Sequence, residues 1–528
     1  MTLGGAMGKY LVAVDVGTGS ARAGVFDRLG HMLGRSSFPI AMKVTGGRFA
    51  EHDSEDIWKA VCRAVRGARD EAGIAPADVA AIGFDATCSL VVRDGDGRPL
   101  SVAPGGEAGW DTIAWLDHRA IEEAAALSAE GGEAVRHSGG TVSPEMQLPK
   151  LMWLKRHLPE VWNRAGMIFD LADFLTWRAT GSLKRSICTL TAKWSYLSHS
   201  EEGWSRAALE NAGLEDLGAH AGIAELPAPV GASLGALTGA AADELGLTAA
   251  AVASPGMVDA YAGQLALVGS DPAAPGEAGL IGGTSSCLMR FSRDPHFLPA
   301  FWGPYRDVLL PGWWVIEGGQ SATGALLDHI VRTHGNGLEP TPGTHALVLD
   351  RIGQLVAAEG DGFGSSIHVL PDFHGNRAPL ADARAAGTIH GLTLDGSFDG
   401  MCAIYYRAMV SLAHGIRQIL EAMEFDGPVG TIHLGGGHAR NGLLARLYAD
   451  ATRRKVAISA GEEAMLLGTA MAAATAAGLH PSLEEACRAM ARPSTVIEPN
   501  EIRARALDRD YRIFLRMQDH RRELAALA

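Results

Sequence analysis

The stretch Tyr10-Leu-Val-Ala-Val-Asp15-Val-Gly17-Thr18-Gly19-Ser20-Ala-Arg22-Ala-Gly-Val-Phe-Asp27 decides how the rest of the chain is read. A β-favouring run from Tyr10 to Asp15 enters a turn of Gly, Thr and Ser, and a second run follows from Ala23 to Asp27. Two such runs joined by a Gly-rich turn predict a hairpin. The pattern returns at Gly279-Leu-Ile-Gly-Gly283-Thr284-Ser285-Ser286, followed by Cys287-Leu-Met-Arg-Phe291. Gly17-Thr18-Gly19-Ser20 overlays Gly283-Thr284-Ser285-Ser286. The repeat distance is about half the chain, far beyond solenoid periods. The expectation is two similar domains, each opening with a Gly-Thr hairpin. Between them Gly269-Ser-Asp-Pro-Ala-Ala-Pro-Gly276 reads as a linker, which sets the domains at 1–269 and 270–528.

Elsewhere strands and helices alternate. Ala81 to Phe84 reads as a strand, Leu151 to Lys155 as the start of an amphipathic helix, and Ala403 to Met423 as a helix. The strand Thr431 to Leu434 runs into Gly435-Gly436-Gly437, with a helix starting near Asn441. Another strand ends at Ser459 before a helix at Glu462, and the tail beyond Pro499 reads as helical and charged. Alternation of this kind predicts α/β sheets. The Ala-rich stretch from Ala464 to Gly478 is too short to span a bilayer and reads as a buried helix.

The bulk numbers narrow the function. A chain of 528 residues exceeds one ordinary domain and suits two. With 47% apolar residues and 6% aromatics it fits a close-packed α/β protein and not a disordered one. A formal charge of −14 argues against a nucleic-acid partner, since a phosphate backbone selects a basic surface. The six cysteines (Cys62, Cys88, Cys188, Cys287, Cys402 and Cys487) form no CxxC pair, which predicts neither a disulfide framework nor a zinc site, and places the chain in a reducing cytoplasm. Met1 to Lys9 lacks the basic start and apolar stretch of a signal peptide, and no membrane partner is expected.

Several segments could carry chemistry. A Gly/Ser/Thr turn exposes backbone N–H groups and hydroxyls in a concave nest suited to phosphate oxygens. Asp15, at the end of the strand entering such a turn, is placed to hold Mg²⁺ through water. Either hairpin alone is an ordinary turn; the symmetric pair favours the phosphate reading. Gly435-Gly436-Gly437-His438-Ala439-Arg440-Asn441 allows close backbone approach to a phosphate or a flat ring, or else simply caps a helix. No GxGxxG and no Walker A sequence occur, which disfavours a Rossmann dehydrogenase and a P-loop NTPase. A lone Asp such as Asp259, in Ser254-Pro-Gly-Met-Val-Asp-Ala-Tyr-Ala-Gly263, is usually a helix cap. Its place just before the linker, where two domains would meet around a cleft, makes it a candidate proton acceptor. His368-Val-Leu-Pro-Asp372-Phe-His374-Gly-Asn-Arg377 holds ligand-type residues, but its Pro and Gly imply a structural loop.

Together these segments resemble the FGGY carbohydrate kinases, a branch of the actin/hexokinase-like ATPases. The likeness runs from Tyr10 to about Leu479. It rests on Asp15-Val-Gly-Thr-Gly-Ser-Ala-Arg22, Glu51-His-Asp-Ser-Glu-Asp-Ile-Trp58, Gly256-Met-Val-Asp-Ala-Tyr-Ala-Gly263, Gly282-Gly-Thr284, Asp372-Phe-His-Gly-Asn-Arg-Ala-Pro379 and Gly435-Gly-Gly437. Gly83-Phe-Asp-Ala-Thr87-Cys88-Ser89-Leu90-Val91, Trp115-Leu-Asp-His-Arg119, Ser143-Pro-Glu-Met-Gln147 and Glu317-Gly-Gly-Gln-Ser-Ala-Thr-Gly324 are most similar to the D-ribulokinase branch. Two departures stand out: Gly19 where many relatives carry a hydroxyl, and Glu51-His52 where Glu-Gln is common.

The resemblance implies an α/β fold of two actin/hexokinase-like (ribonuclease H-like) domains with an interdomain active-site cleft, sugar on the first domain and nucleotide on the second. It implies MgATP-dependent phosphorylation of a pentulose, D-ribulose first, with ribitol, L-ribulose or another pentitol or ketose as alternatives. Asp259 is the implied catalytic base, and Asp15 the carboxylate near Mg²⁺. Thr18, Gly283, Thr284, Gly324, Gly436, Gly437 and Asn441 are the implied ATP site. Ala86, Thr87, Cys88, Lys193 and Glu317, with Asp259, are the implied sugar site. On the residues alone, Lys193 and Glu317 could equally be paired charges and Cys88 a small core residue. A homodimer is common in the family. Two other classes stay open: an actin- or chaperone-like ATPase without sugar chemistry, and, more remotely, a polyol dehydrogenase.

Overall fold

The computed structural model describes residues 8–460 and 463–527, so the expectations for Met1 to Met7 and for a helix start at Glu462 fall outside the described residues. The chain divides into two compact units. The first comprises Met1–Ala273, Phe291–Ile316 and Glu463–Arg492; the second comprises Ala274–Arg290, Glu317–Glu462 and Pro493–Ala528. These compact units are not consecutive in sequence: Phe291–Ile316 and Glu463–Arg492 group with the first.

In the first unit the predicted hairpin is present as Tyr10–Val16 against Ser20–Asp27, with Met32–Pro39 beyond it. On its other side Tyr10–Val16 pairs in parallel with Val79–Ala86, which in turn pairs with the short strands Val252–Ala253 and Met257–Val258. Every residue from Leu11 to Val16 is buried, as expected of a strand covered on both faces. Val12, Val14 and Val16 pack with Ile57, Trp58, Val61 and Val65 of the helix Ser54–Ala72. That helix is capped by Asp53, which accepts from the amides of Glu55 and Asp56. The opposite face carries the Ala-rich helix Ala464–Ala476, buried as the sequence predicts. Its Thr469 reaches Asp85 on the strand Val79–Ala86.

The second unit repeats the same pairing. Glu277–Gly282 and Ser286–Ser292 form the second hairpin, and Glu277–Gly282 pairs in parallel with Thr431–Gly436. Lys455–Ser459 follows in parallel and Ser494–Ile497 antiparallel. The long helix Phe398–Ala422 is buried along most of its length. The charged tail is the helix Glu501–Ala525, capped by Asn500 and held by an Arg407–Asp510 ion pair at 2.7 Å and by Tyr511 and Phe514 against Leu370. Among the described residues no helix is long and apolar enough to cross a membrane, and the six cysteines are free.

Candidate active site

Strand register gathers three carboxylates in the first unit. Asp15 lies opposite Arg22 across the hairpin and opposite Asp85 in the parallel neighbour. Met257 lies opposite Asp85 and Val258 opposite Ala86, so Asp259 emerges at the carboxyl ends of the same strands. In open α/β sheets ligands bind at that end. Asp259 is the first residue of the helix Asp259–Val268, and its Oδ1 accepts from the Ala260 amide at 2.7 Å. Gly468 lets the helix Ala464–Ala476 approach this helix closely, since a Cβ there would collide with the Ala262 carbonyl oxygen. That approach fixes the element carrying Asp259.

The electrostatics follow from this crowding. Arg22 Nη2 lies 2.8 Å from Asp15 Oδ2, and its Nη1 lies 3.8 Å from Glu463, which also holds Arg35 at 2.8 Å. Asp85 is fully buried and accepts from Thr469 Oγ1 at 2.5 Å. Burial, and then the charge of Asp15, holds the Asp85 carboxyl well above the usual range. Burial and the same Asp15 charge push Asp259 up to about 6, against the pull of the Ala260 amide, Lys193 and Arg22. Such a carboxylate is ionised at neutral pH, yet accepts a proton better than an ordinary aspartate.

Ala86, Thr87 and Cys88 continue from Asp85 and are buried. Gln147 Nε2 donates to the Cys88 carbonyl at 2.9 Å, and Thr87 Oγ1 lies 3.3 Å from Ser89 Oγ. Burial pushes the Cys88 thiol up to about 12, so it is a neutral wall group and not a nucleophile. Lys193 is the last residue of the helix Ile187–Lys193, buried, with Nζ 4.2 Å from the Trp302 ring centroid and 5.7 Å from that of Tyr261. Its charge acts on both Cys88 and Asp259, which places the three in one locality.

The second unit builds its counterpart from backbone. Ile281 lies opposite Gly435 and Gly282 opposite Gly436, so the Gly-Thr turn and the triple-Gly turn stand side by side. Gly436 has φ 74°, and a Cβ there would strike the Gly282 carbonyl oxygen. The Gly324 amide donates to the Gly283 carbonyl at 2.9 Å and the Thr323 amide to the Thr284 carbonyl at 2.9 Å. Gly283, Thr284, Gly324, Gly436 and Gly437 thus converge. Asn441 caps the helix Gly442–Thr452, its Oδ1 accepting from the Leu444 amide at 3.0 Å.

Three placements qualify the sequence expectations. Glu317, expected beside the sugar, belongs to the second unit, buried, with Arg377 Nη1 3.9 Å from its Oε1. Thr18, expected on the nucleotide side, belongs to the first unit, and its Oγ1 accepts from Trp115 Nε1 at 3.0 Å. Gly19 is exposed, with open space where a side chain would stand. His368, Asp372 and His374 do not gather as metal ligands among the described residues; Asp372 accepts from Asn376 and pairs with Arg521.

Arg22, Asp85, Glu463 and Thr469 were not singled out from the sequence. For Arg22 a signal existed: Asp15 and Arg22 flank the first turn where hairpin partners should fall, and both stand in otherwise apolar strands.

The all-oxygen set of Asp15, Asp85 and Asp259 suits a hard cation. Among the described residues their oxygens do not meet as one tight ligand group. Residues 10–267 match the FGGY family of carbohydrate kinases, N-terminal domain, and residues 278–477 match its C-terminal domain. An FGGY carbohydrate kinase domain-containing protein of Homo sapiens is 38% identical over 98% of this chain and 98% of its own. A D-ribulokinase of Saccharomyces cerevisiae is 35% identical over 89% of this chain and 72% of its own. The solved gluconate kinase of Lactobacillus acidophilus superposes with a TM-score of 0.78 at 19% identity, covering 97% of this chain and 98% of that one. The two-domain α/β architecture and the paired hairpins therefore have one explanation: the chain belongs to the FGGY family of carbohydrate kinases.

Proposed function

We propose that the chain transfers the γ-phosphoryl group of ATP to D-ribulose in the cytoplasm, giving D-ribulose 5-phosphate. The observation that carries this reading is the 35% identity to a D-ribulokinase across 89% of the chain. The site supports the chemistry. Asp259 has the position and raised pKa of a general base. Ala86, Thr87, Cys88, Lys193 and Glu317 would hold the sugar. Thr18, Gly283, Thr284, Gly324, Gly436, Gly437 and Asn441 would hold ATP, chiefly through backbone N–H groups. Mg²⁺ near Asp15 would neutralise charge on the phosphoryl oxygens. The sugar hydroxyl oxygen bonds to the γ-phosphorus, the bond to the bridging oxygen breaks, ADP leaves, and the proton passes to Asp259.

The test is ADP release with MgATP across D-ribulose, L-ribulose, ribitol, D-xylulose, L-xylulose and glycerol, compared as kcat/KM. The reading expects D-ribulose to lead. A pentitol or another ketose in first place would overturn the substrate and leave the Asp259 chemistry. ATP turnover indifferent to every sugar would overturn both.

A further inference from the structure

A second group of donor atoms in the first unit has no part in phosphoryl transfer. Glu133 opens the one-turn helix Glu133–Arg136 and His137 closes it, so the two side chains lie one turn apart on one face. His199 comes from the loop after the helix Ile187–Lys193. The ligand atoms of Glu133, His137 and His199 all lie within 4.8 Å of one another, the one such group among the described residues. His199 Nε2 is 3.4 Å from Glu133 Oε1.

His137 supplies the decisive detail. Its side chain is buried, and Nδ1 lies 2.6 Å from the Pro304 carbonyl oxygen. A carbonyl only accepts, so Nδ1 carries the proton and Nε2 keeps its lone pair. That Nε2 is buried without a hydrogen-bond partner. An acceptor left so is destabilising unless something fills it. A metal-bound histidine has this arrangement, one nitrogen on the ion and the other donating to a carbonyl. Rings surround the group: His199 is 4.9 Å from His137, Phe297 5.0 Å from His137, and Trp314 5.2 Å from His199, centroid to centroid.

We propose that Glu133, His137 and His199 form a binding site for a borderline divalent transition metal of the Zn²⁺ class, with His137 ligating through Nε2. Two imidazoles and a carboxylate suit such an ion and not Mg²⁺, and the fourth position is left to solvent. Pro304 lies in the strand Trp302–Arg306, whose Trp302 ring faces Lys193. The ion therefore ties the segment after Lys193 to the strand that packs on Lys193. The absence of CxxC pairs excludes only a cysteine site; these ligands come from segments distant in sequence.

The test uses untagged full-length protein, stripped with a chelator and titrated with Zn²⁺ against a chromophoric competitor, with metal content read by mass spectrometry after dialysis. Glu133→Gln and His199→Ala change exposed residues, and thermal unfolding of the stripped proteins confirms that both remain folded. The expected result is one Zn²⁺ per chain, with affinity lowered at least ~10-fold by each variant, since losing a supporting partner alone has that effect. Zn²⁺ that washes out of the wild type, or binds the double variant as tightly as the wild type, would overturn the site.

Discussion

The two hairpins share one pairing scheme, with four residues between Val16 and Ala21 in the first and three between Gly282 and Ser286 in the second, and are filled with different chemistry. In the first, Asp15 faces Arg22 on one side and Asp85 on the other. In the second, the matching position is Ile281, which faces Cys287 and Gly435. The same backbone thus carries ionisable side chains in one unit and an apolar residue, a thiol and a glycine in the other. Where side chains are charged, burial and then repulsion from Asp15 raise the pKa values of neighbouring carboxylates, as at Asp85 and Asp259. Where they are small, backbone turns come close together, as Gly436 does against the Gly282 carbonyl. On the proposed function the duplicated frame divides its labour: proton handling in one copy, phosphate holding in the other.

The sharpest way to break this comparison is to remove the proposed proton acceptor. Asp259→Asn is expected to lower kcat by roughly 10²–10⁴-fold with little change in KM for ATP; steady-state kinetics showing near-normal turnover would contradict the division. Next comes Arg22→Met, which leaves Asp15 buried without its cation beside two further carboxylates. Breaking a buried pair by removing one partner costs about 3 kcal/mol, and denaturant unfolding should show a loss of that order. The same substitution at Cys287, the residue that faces Ile281, removes no charge pair and should fall well short of it. Smaller than the Arg22 effect is Gly436→Ala in the second unit, where a Cβ at positive φ meets the Gly282 carbonyl. It should lower stability by about 2 kcal/mol and raise KM for ATP while leaving the pH dependence of kcat untouched.

Much of this frame was legible in the sequence, and the reason is local. The hairpins announce themselves by continuous β-favouring apolar runs around Gly-Thr turns, and Asn441 by its place before a helix. The division of the chain was harder to read. Glu463–Arg492 follows the second unit's strands yet belongs to the first, because its apolar face finds its partners on a sheet laid down more than half the chain earlier. No spacing reports that. The role of Asp85 was hidden for the same reason: its meaning comes from Asp15 and Thr469, both brought by pairing and packing and not by neighbours in sequence. Glu133, His137 and His199 met likewise only in three dimensions.

The central claim, that the first hairpin tunes the proton acceptor, is tested most directly by the pH dependence of kcat/KM for the sugar. Asp259 must be ionised to accept a proton, so activity should be full above its pKa of about 6 and fall about tenfold per pH unit below it. Asp15 raises that pKa, so Asp15→Asn should move the acid limb to lower pH, whatever it does to the plateau. Thr284→Ala, in the second hairpin, should lower the plateau and leave the limb where it was. An acid limb that ignores Asp15→Asn, or one that moves with Thr284→Ala, would contradict the account.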